Sequence, residues 1–120
     1  MYDIIIVGAG PAGLTAALYA ARANKKVLVL EAKAYGGQIL NAAIVENYPG
    51  MKTMNGFEFA TNLYNQVLDL GVEIKFETVI SVDKEKAASY GYTVAQVYQM
   101  IYSDMATNKS ATTITTDIKD

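Results

Sequence analysis

A glycine-rich turn between an apolar segment and a helical segment constrains this sequence more than any other feature. Residues 4–7 read Ile-Ile-Ile-Val, an apolar and mainly β-branched run that is typical of a parallel strand buried on both faces. Gly8, Gly10 and Gly13 follow with the spacing G-x-G-x-x-G. The pattern predicts a strand, a tight turn and a helix whose N-terminal N–H groups face a phosphate group.

Each position of this glycine motif has its own physical role. The first glycine permits the tight turn, the second lets the backbone approach a pyrophosphate, and the third lets helix and strand pack closely. Proline suits the first helical position, because its missing N–H would have no intrahelical acceptor and its φ angle is already helical. The predicted pyrophosphate-binding residues are Gly8, Gly10, Pro11, Ala12 and Gly13.

An acidic residue ends the second predicted strand. That strand covers residues 27–30, and Glu31 stands eighteen residues after Gly13. A carboxylate at this position accepts hydrogen bonds from a ribose diol and repels a 2′-phosphate. A glycine turn alone often has only a structural role, but the order of strand, turn, helix, strand and acid favours dinucleotide binding. The sequence therefore predicts the adenosine half of FAD or NAD, not of NADP.

Composition narrows the function classes further. The 120 residues are 52% hydrophobic, carry a formal net charge of -2 and include neither cysteine nor histidine. We expect one soluble, cytoplasmic domain that binds neither nucleic acid nor a membrane, because the chain has no basic run and no apolar run of membrane-spanning length. Without cysteine or histidine we expect no metal site and no catalytic side chain, so that any redox chemistry depends on a bound cofactor.

The long connection over residues 32–56 contains a first candidate ligand loop. Connections of this length are uncommon in compact domains unless they are functional. Gly36 and Gly37 would let the backbone lie against a ligand, and Gln38 adds a donor and an acceptor. An ordinary flexible turn explains the same residues equally well.

A second candidate lies later in the same connection. Pro49-Gly50 predicts a turn that would hold Asn47 and Tyr48 in place. Asn47 has an alternative role, since an asparagine side chain often bonds to its own backbone in an Asx-turn.

The remaining elements are predicted from hydrophobic periodicity. Residues 57–70 predict a helix that ends at Gly71, residues 72–76 a third parallel strand, and residues 79–82 the first strand of a small antiparallel layer. The strand order is expected to be 3-2-1. The core face of the helix is predicted to comprise Phe59, Leu63, Val67 and Leu70.

Four segments together resemble the N-terminal FAD-binding half-domain of thioredoxin reductases and of the related ferredoxin- or NADPH-linked flavin reductases. They are GAGPAGLTAALYAARA, LEAKAYGGQ, VENYPG and GFEFATNLYNQ. The pair GGQ and VENYPG is more specific than the glycine motif. The resemblance covers residues 1 to about 86.

The resemblance implies FAD contacts at several positions of these segments. The glycine motif would hold the pyrophosphate, Glu31 the adenosine ribose with Ala32 beside it, and Gly36–Gln38 the flavin end. Asn47 would lie near the flavin, and the backbone at Val79 would meet the adenine.

The resemblance in these segments ends near residue 87. We therefore expect an FAD-binding half-domain over residues 1–86 and an unrelated or altered tail over residues 87–120. The tail predicts an amphipathic helix over residues 94–105, then a frayed polar end with a weak strand at 112–116. The family's NADPH domain and CxxC pair have no counterpart in the 120 residues.

The expected fold is therefore α/β, a truncated Rossmann-like domain with three parallel strands. The expected function is that of an FAD-binding module of a thioredoxin reductase-like oxidoreductase, inactive alone. One alternative is a non-catalytic NAD- or FAD-binding module that needs a partner, and another is a truncated or frameshifted remnant. Without the family's returning strand, residues 4–7 would form a sheet edge, which the tail or a second chain would cover.

Overall fold

The structure, a computed structural model, describes residues 1–89 of the chain. Their elements are, in order, β1 (Ile4–Val7), α1 (Pro11–Arg22), β2 (Val27–Leu30), a 3₁₀ helix (Gly37–Asn41), α2 (Gly56–Asp69), β3 (Glu73–Lys75) and α3 (Lys84–Ser89). The chain divides into two units, Met1–Thr78 and a second one that begins at Val79. All three strands lie in the first unit.

The three strands form one parallel sheet in the order β1-β2-β3. Ile4 lies opposite Val27, and Val29 lies opposite both Ile6 and Ile74. The predicted strand order and the predicted α/β class, a Rossmann-like partial fold, are confirmed. Because the strands are parallel, their carboxyl ends lie at one edge of the sheet, and the loops that follow β1 and β2 begin there.

The buried strand is β2, not β1. Residues 27–29 are each less than 9% exposed, as expected for a strand with a neighbour on both sides. In β1, Ile5 is 49% exposed and Ile4 and Val7 are more than a third exposed. The prediction that residues 4–7 are buried on both faces is wrong for the described part of the chain, where β1 is a terminal strand. The prediction that these residues form a sheet edge is confirmed there.

The core of the first unit lies between the sheet and two helices. Leu14 and Ala17 of α1, Val29 of β2 and Val67 of α2 have no measurable exposure. A fully buried leucine or valine side chain contributes about 1.5–3 kcal/mol relative to an exposed one. Alanine at position 17 leaves room for the close approach of α1 to its neighbours.

A left-handed residue ends α1 and redirects the chain into β2. Asn24 has φ 59°, a conformation that asparagine tolerates better than most residues. Its N–H donates to the oxygen of Ala21 at 2.9 Å, and the N–H of Lys25 donates to Ala20 at 3.1 Å. This pair of hydrogen bonds is a Schellman motif, which satisfies carbonyl groups at the helix end.

Side-chain and backbone caps fix both ends of α2. The side chain of Asn55 accepts a hydrogen bond from the N–H of Glu58 at 2.8 Å. At the other end, the N–H of Gly71 donates to the oxygen of Leu68 at 2.8 Å. Helix and stop were therefore predicted correctly, apart from a shift of one residue at each end. Leu70 is 43% exposed, so its placement in the core face is wrong, because it lies past the last helical residue.

The remaining predictions concern the third strand, a strand over residues 79–82, and the tail. Strand β3 is shorter than predicted, and residues 79–82 form no strand. In the second unit, Asp83 accepts a hydrogen bond from the N–H of Lys86 at 3.0 Å at the start of α3. The helix predicted over residues 94–105 and the frayed end with a strand at 112–116 lie outside the described residues.

No helix within residues 1–89 combines the length and the apolar character that a bilayer crossing requires.

The cap of α2 allows a direct test of this fold. Asn55→Ala removes the acceptor for the N–H of Glu58, and should lower the free energy of unfolding by about 1 kcal/mol. Urea denaturation measures this change. Asn65→Ala, at an exposed interior position of the same helix, is the matched control and should leave stability unchanged or slightly raised. Equal effects of the two substitutions would contradict the cap.

Candidate dinucleotide-binding site

The glycine turn joins β1 to α1 at the carboxyl edge of the sheet. Gly8 has φ 103°, which a residue with a side chain rarely adopts. Its N–H donates to the oxygen of Leu30 at 2.7 Å, so the turn is held to the end of β2. The predicted role of the first glycine as the residue that permits the turn agrees with this geometry.

The other two glycines of the motif have opposite surroundings. A Cβ atom at Gly13 would overlap the carbonyl oxygen of Gly8 and would lie 3.3 Å from the side chain of Ile6. A Cβ atom at Gly10 would have no protein atom within 4 Å. Gly13 is therefore required by packing between helix and turn, whereas the space above Gly10 is available for a ligand.

The first turn of α1 presents backbone donors toward that space. Pro11 occupies the first helical position, as predicted, and the N–H of Leu14 donates to Gly10 at 2.9 Å. Among residues 1–89 no acceptor bonds to the N–H of Gly10, Ala12 or Gly13. Free N–H groups and the positive end of the helix dipole together favour an anion here.

Glu31 lies beside the glycine turn and is held there by two backbone donors. Its Oε2 accepts from the N–H of Ala9 at 2.7 Å, and its Oε1 accepts from the N–H of Lys33 at 2.9 Å. A carboxylate has about four lone-pair positions, so each oxygen can still accept a bond from a hydroxyl group. The motif predicted the acid, but its contact with Ala9 follows only from the packing of β1 beside β2.

The loop with Gly36, Gly37 and Gln38 reaches the same place. The N–H of Gly36 donates to the oxygen of Ala9 at 2.6 Å. A Cβ atom at Gly37 would lie 3.5 Å from the Cα of Gly10, and the Gln38 side chain is exposed. Gly36 and Gly37 therefore lie next to the glycine motif, although more than twenty residues separate the two segments.

The turn around Asn47 is ordered by its neighbours. The N–H of Met51 donates to the oxygen of Tyr48 at 3.3 Å, which closes the predicted turn at Pro49-Gly50. The Tyr48 ring packs edge-on against Phe59 with centroids 5.0 Å apart. Asn47 itself is exposed, and its contact with a ligand stays a prediction.

Two predicted site residues have no contact that tests their roles. Ala32 is exposed directly after Glu31. Val79 belongs to the second unit, so its predicted contact with adenine stays a prediction.

Sequence reasoning missed Ala9 as the residue that links the site. Its N–H bonds to Glu31 and its oxygen accepts from Gly36, and it is fully buried. In the sequence, Ala9 is only the variable position between two motif glycines. No local pattern distinguishes it, because both of its partners come from the loop that follows β2.

A polar cleft of about 180 Å³ lies at the opposite, amino edge of the sheet. Tyr2, Lys26 and Glu73 are among its lining residues. The Tyr2 hydroxyl donates to Glu73 and lowers the pKa of that carboxyl, while the same bond raises the pKa of Tyr2. Glu73 also raises the pKa of Lys75, because Oε1 of Glu73 lies 3.4 Å from Nζ of Lys75. These exposed groups form a surface cluster, separate from the glycine turn.

Comparisons with known proteins identify the family of the chain. Residues 2–114 match the family described as "Pyridine nucleotide-disulphide oxidoreductase". A thioredoxin reductase of Treponema pallidum is 45% identical over 107 residues, which are 88% of this chain and 35% of that protein. A thioredoxin reductase of Bacillus subtilis is 42% identical over 82 residues, 68% of this chain and 26% of that protein. The family match thus extends past residue 86, whereas the alignment with the Bacillus subtilis protein covers 82 residues, a length close to that of the resemblance over residues 1 to about 86.

Solved structures give the same result for the fold. The thioredoxin reductase of Streptococcus pyogenes superposes with a TM-score of 0.67 at 44% identity, over 69% of this chain and 27% of that one. For the thioredoxin reductase of T. acidophilum the TM-score is 0.66 at 37% identity, over 72% and 28%. The chain spans about a quarter to a third of the length of these relatives.

The contrast between Gly10 and Gly13 gives a test that needs no ligand. Gly13→Ala should lower the thermal midpoint of the free protein, because the new methyl group overlaps the Gly8 oxygen, and overpacking of this kind typically costs about 1–3 kcal/mol. Gly10→Ala should lower the midpoint less, since its φ of -75° suits any residue and the methyl group meets no protein atom, so that only the weaker N-cap preference of alanine counts against it. Calorimetry of both variants decides this, and an equal loss in both would contradict the described turn.

Proposed function

The chain belongs to the pyridine nucleotide-disulphide oxidoreductase family, and from this we propose that its first unit binds FAD as the flavin-binding module of a thioredoxin reductase-like oxidoreductase. The main supporting observation is the position of the Glu31 carboxylate. This carboxylate accepts a hydrogen bond from the N–H of Ala9, the residue between Gly8 and Gly10, and each of its oxygens can accept a further hydrogen bond. An acid and a free helix N-terminus at one place suit a ribose next to a diphosphate.

The surroundings of the glycine turn fit the diphosphate of such a cofactor. The N–H groups of Gly10, Ala12 and Gly13 can donate to phosphate oxygens, and no Cβ atom stands above Gly10. The diphosphate of a dinucleotide carries negative charge, and the positive end of the helix dipole stabilises such a charge by roughly 0.3–1 kcal/mol at an exposed site. Arg22 is the only charged residue of α1 and lies at its far end, so backbone donors rather than basic side chains would bind the phosphates.

Glu31 would also select among dinucleotides. Two unit charges about 4 Å apart repel by roughly 1 kcal/mol in water and by more where solvent is partly excluded. A 2′-phosphate on the adenosine ribose would face this repulsion and would also leave the carboxylate without a hydroxyl donor. We therefore propose binding of FAD, with NAD as the alternative, and exclusion of NADP from this site.

The proposed module has no reducing activity of its own. Bound FAD would supply the capacity to accept and pass on a hydride or electrons. The 120 residues contain no cysteine to form a dithiol and no histidine to transfer a proton. The role of this chain is then to bind and orient the cofactor, and a partner or further segment would have to bring a reductant and a disulfide to it.

Thermal unfolding with added cofactor tests this proposal. FAD that binds only the folded state raises its stability by about 2.7 kcal/mol at a hundredfold excess over Kd, and should raise the midpoint of the wild type. Gly10→Ala should abolish that rise, because the methyl group occupies the proposed diphosphate position, while its ligand-free midpoint falls less than that of Gly13→Ala. NADP should give no rise.

Three results would contradict the FAD proposal. They are an unchanged midpoint with FAD, an equal rise for wild type and Gly10→Ala, or a rise with NAD alone. The last result would favour the NAD-binding module, and the flavin absorbance of the purified protein distinguishes the two cofactors independently.

We also propose that the exposed edge of β1 pairs with a second copy of the chain. Within residues 1–89, β1 is an edge strand, which presents unpaired backbone groups, and it carries three large apolar side chains that are each more than a third exposed. Two such edges can join antiparallel across a twofold axis, which extends both sheets.

Sedimentation of wild type and Ile5→Lys tests the edge proposal. The wild type should associate as its concentration rises, and Ile5→Lys should remain monomeric, because a lysine on an edge strand opposes pairing. Tyr19→Lys, at a position of α1 that is 68% exposed, is the matched control and should associate like the wild type. A wild type that stays monomeric at all concentrations, or equal behaviour of the two variants, would contradict pairing through β1.

A further inference from the structure

A pair of stacked tyrosines joins the loop after β2 to helix α2. The rings of Tyr35 and Tyr64 lie nearly parallel, with centroids 4.1 Å apart and an angle of 17° between their planes. The Tyr35 hydroxyl lies 3.3 Å from Oγ1 of Thr61, one turn earlier in α2. Both rings are partly buried and pack against the core cluster. The loop at residue 35 is therefore fastened to a helix that has no part in the glycine motif.

The next residue of the loop is fastened to the glycine motif instead. Gly36 donates to Ala9, and its φ of 92° reverses the chain direction just before the 3₁₀ helix. Gly36 is buried, and a Cβ atom there would lie 2.6 Å from the Cβ of Ala60 in α2. The backbone at this point thus lies between α2 on one side and the glycine turn on the other.

Together these contacts determine where Gly37 and Gln38 stand. A Cβ atom at Gly37 would be in van der Waals contact with the Cα of Gly10, whereas the space above Gly10 itself stays open. A short glycine pair has little stiffness of its own, so its position depends on what holds the residues on either side. On the N-terminal side the side chain that holds it is Tyr35.

We propose that Tyr35, stacked on Tyr64, is a positioning residue that sets the Gly36–Gln38 backbone against the dinucleotide site. This inference rests on the proposed function for its effect on FAD, but not for its effect on the loop. Tyr35 does not touch the diphosphate position itself. It acts through Gly36, because loss of the stack removes the side-chain contact that holds the residue before Gly36 to α2. The bond from Gly36 to Ala9 and the packing of the 3₁₀ helix against α2 would remain.

The first measurement is the Kd for FAD, taken well below the midpoints of all variants. Tyr35→Ala and Tyr64→Ala should each raise the Kd about tenfold, and the double variant should be little worse than either, since both remove the same contact. Tyr35→Phe keeps the stack and should bind within about twofold of the wild type. Val72→Ala, a core substitution at the start of β3, should lower stability while the Kd is retained.

The second measurement needs no ligand and separates this inference from the proposed function. Hydrogen exchange at the Gly36 amide should accelerate at least tenfold in Tyr35→Ala, whereas exchange at the Leu14 amide, which bonds to Gly10, should match the wild type. In Val72→Ala the two amides should shift together or not at all. A wild type that binds no FAD would refute the proposed function, and Gly36 exchange would then decide the positioning role by itself.

Two outcomes overturn the inference. One is unchanged exchange at Gly36 in Tyr35→Ala. The other, in a wild type that binds FAD, is an unchanged Kd in the same variant, or a Kd raised equally in Val72→Ala.

Discussion

The close approach of Gly13 to the carbonyl oxygen of Gly8 is the constraint on which the rest of the site depends. It places the first turn of α1 directly over the end of β1, with no side chain between them. The N–H groups of that turn then face the space at the carboxyl edge of the sheet. A helix held farther away would direct the same groups into solvent, where water would satisfy them.

Ala9 turns this local arrangement into a site built from two loops. The N–H of Ala9 donates a hydrogen bond to the Glu31 carboxylate, and the oxygen of Ala9 accepts one from the N–H of Gly36. Both partners belong to the loop that follows β2, so the pairing of β1 with β2 brings them within reach. Full burial of Ala9 protects these bonds from competition by water. The pairing of β1 with β2 thus positions Glu31 and the loop glycines Gly36 and Gly37, and β2 is the central strand of the described sheet.

Strands β1 and β2 differ in how far their side chains are buried. Strand β2 is buried and supports both loops, whereas β1 presents isoleucine and valine side chains at the edge of the described sheet. The same apolar sequence that suits a central strand therefore leaves apolar side chains exposed at the edge of the sheet formed by residues 1–89. Helix α2 makes two contributions to packing, since Val67 fills the core and Tyr64 stacks on Tyr35 in the loop that follows β2.

The main elements of the first unit and the turn after β1 were predictable from sequence patterns. Local rules act there: the motif glycines, Pro11 at the helix start and Glu31 after an apolar strand are all close in sequence and each has one physical reason. Long-range packing explains why β2 is buried, why Leu70 is exposed, and why Gly36 bonds to Ala9 beside the Tyr35 stack. These features depend on neighbours distant in sequence, and a periodic pattern records that a residue is apolar without recording what will cover it.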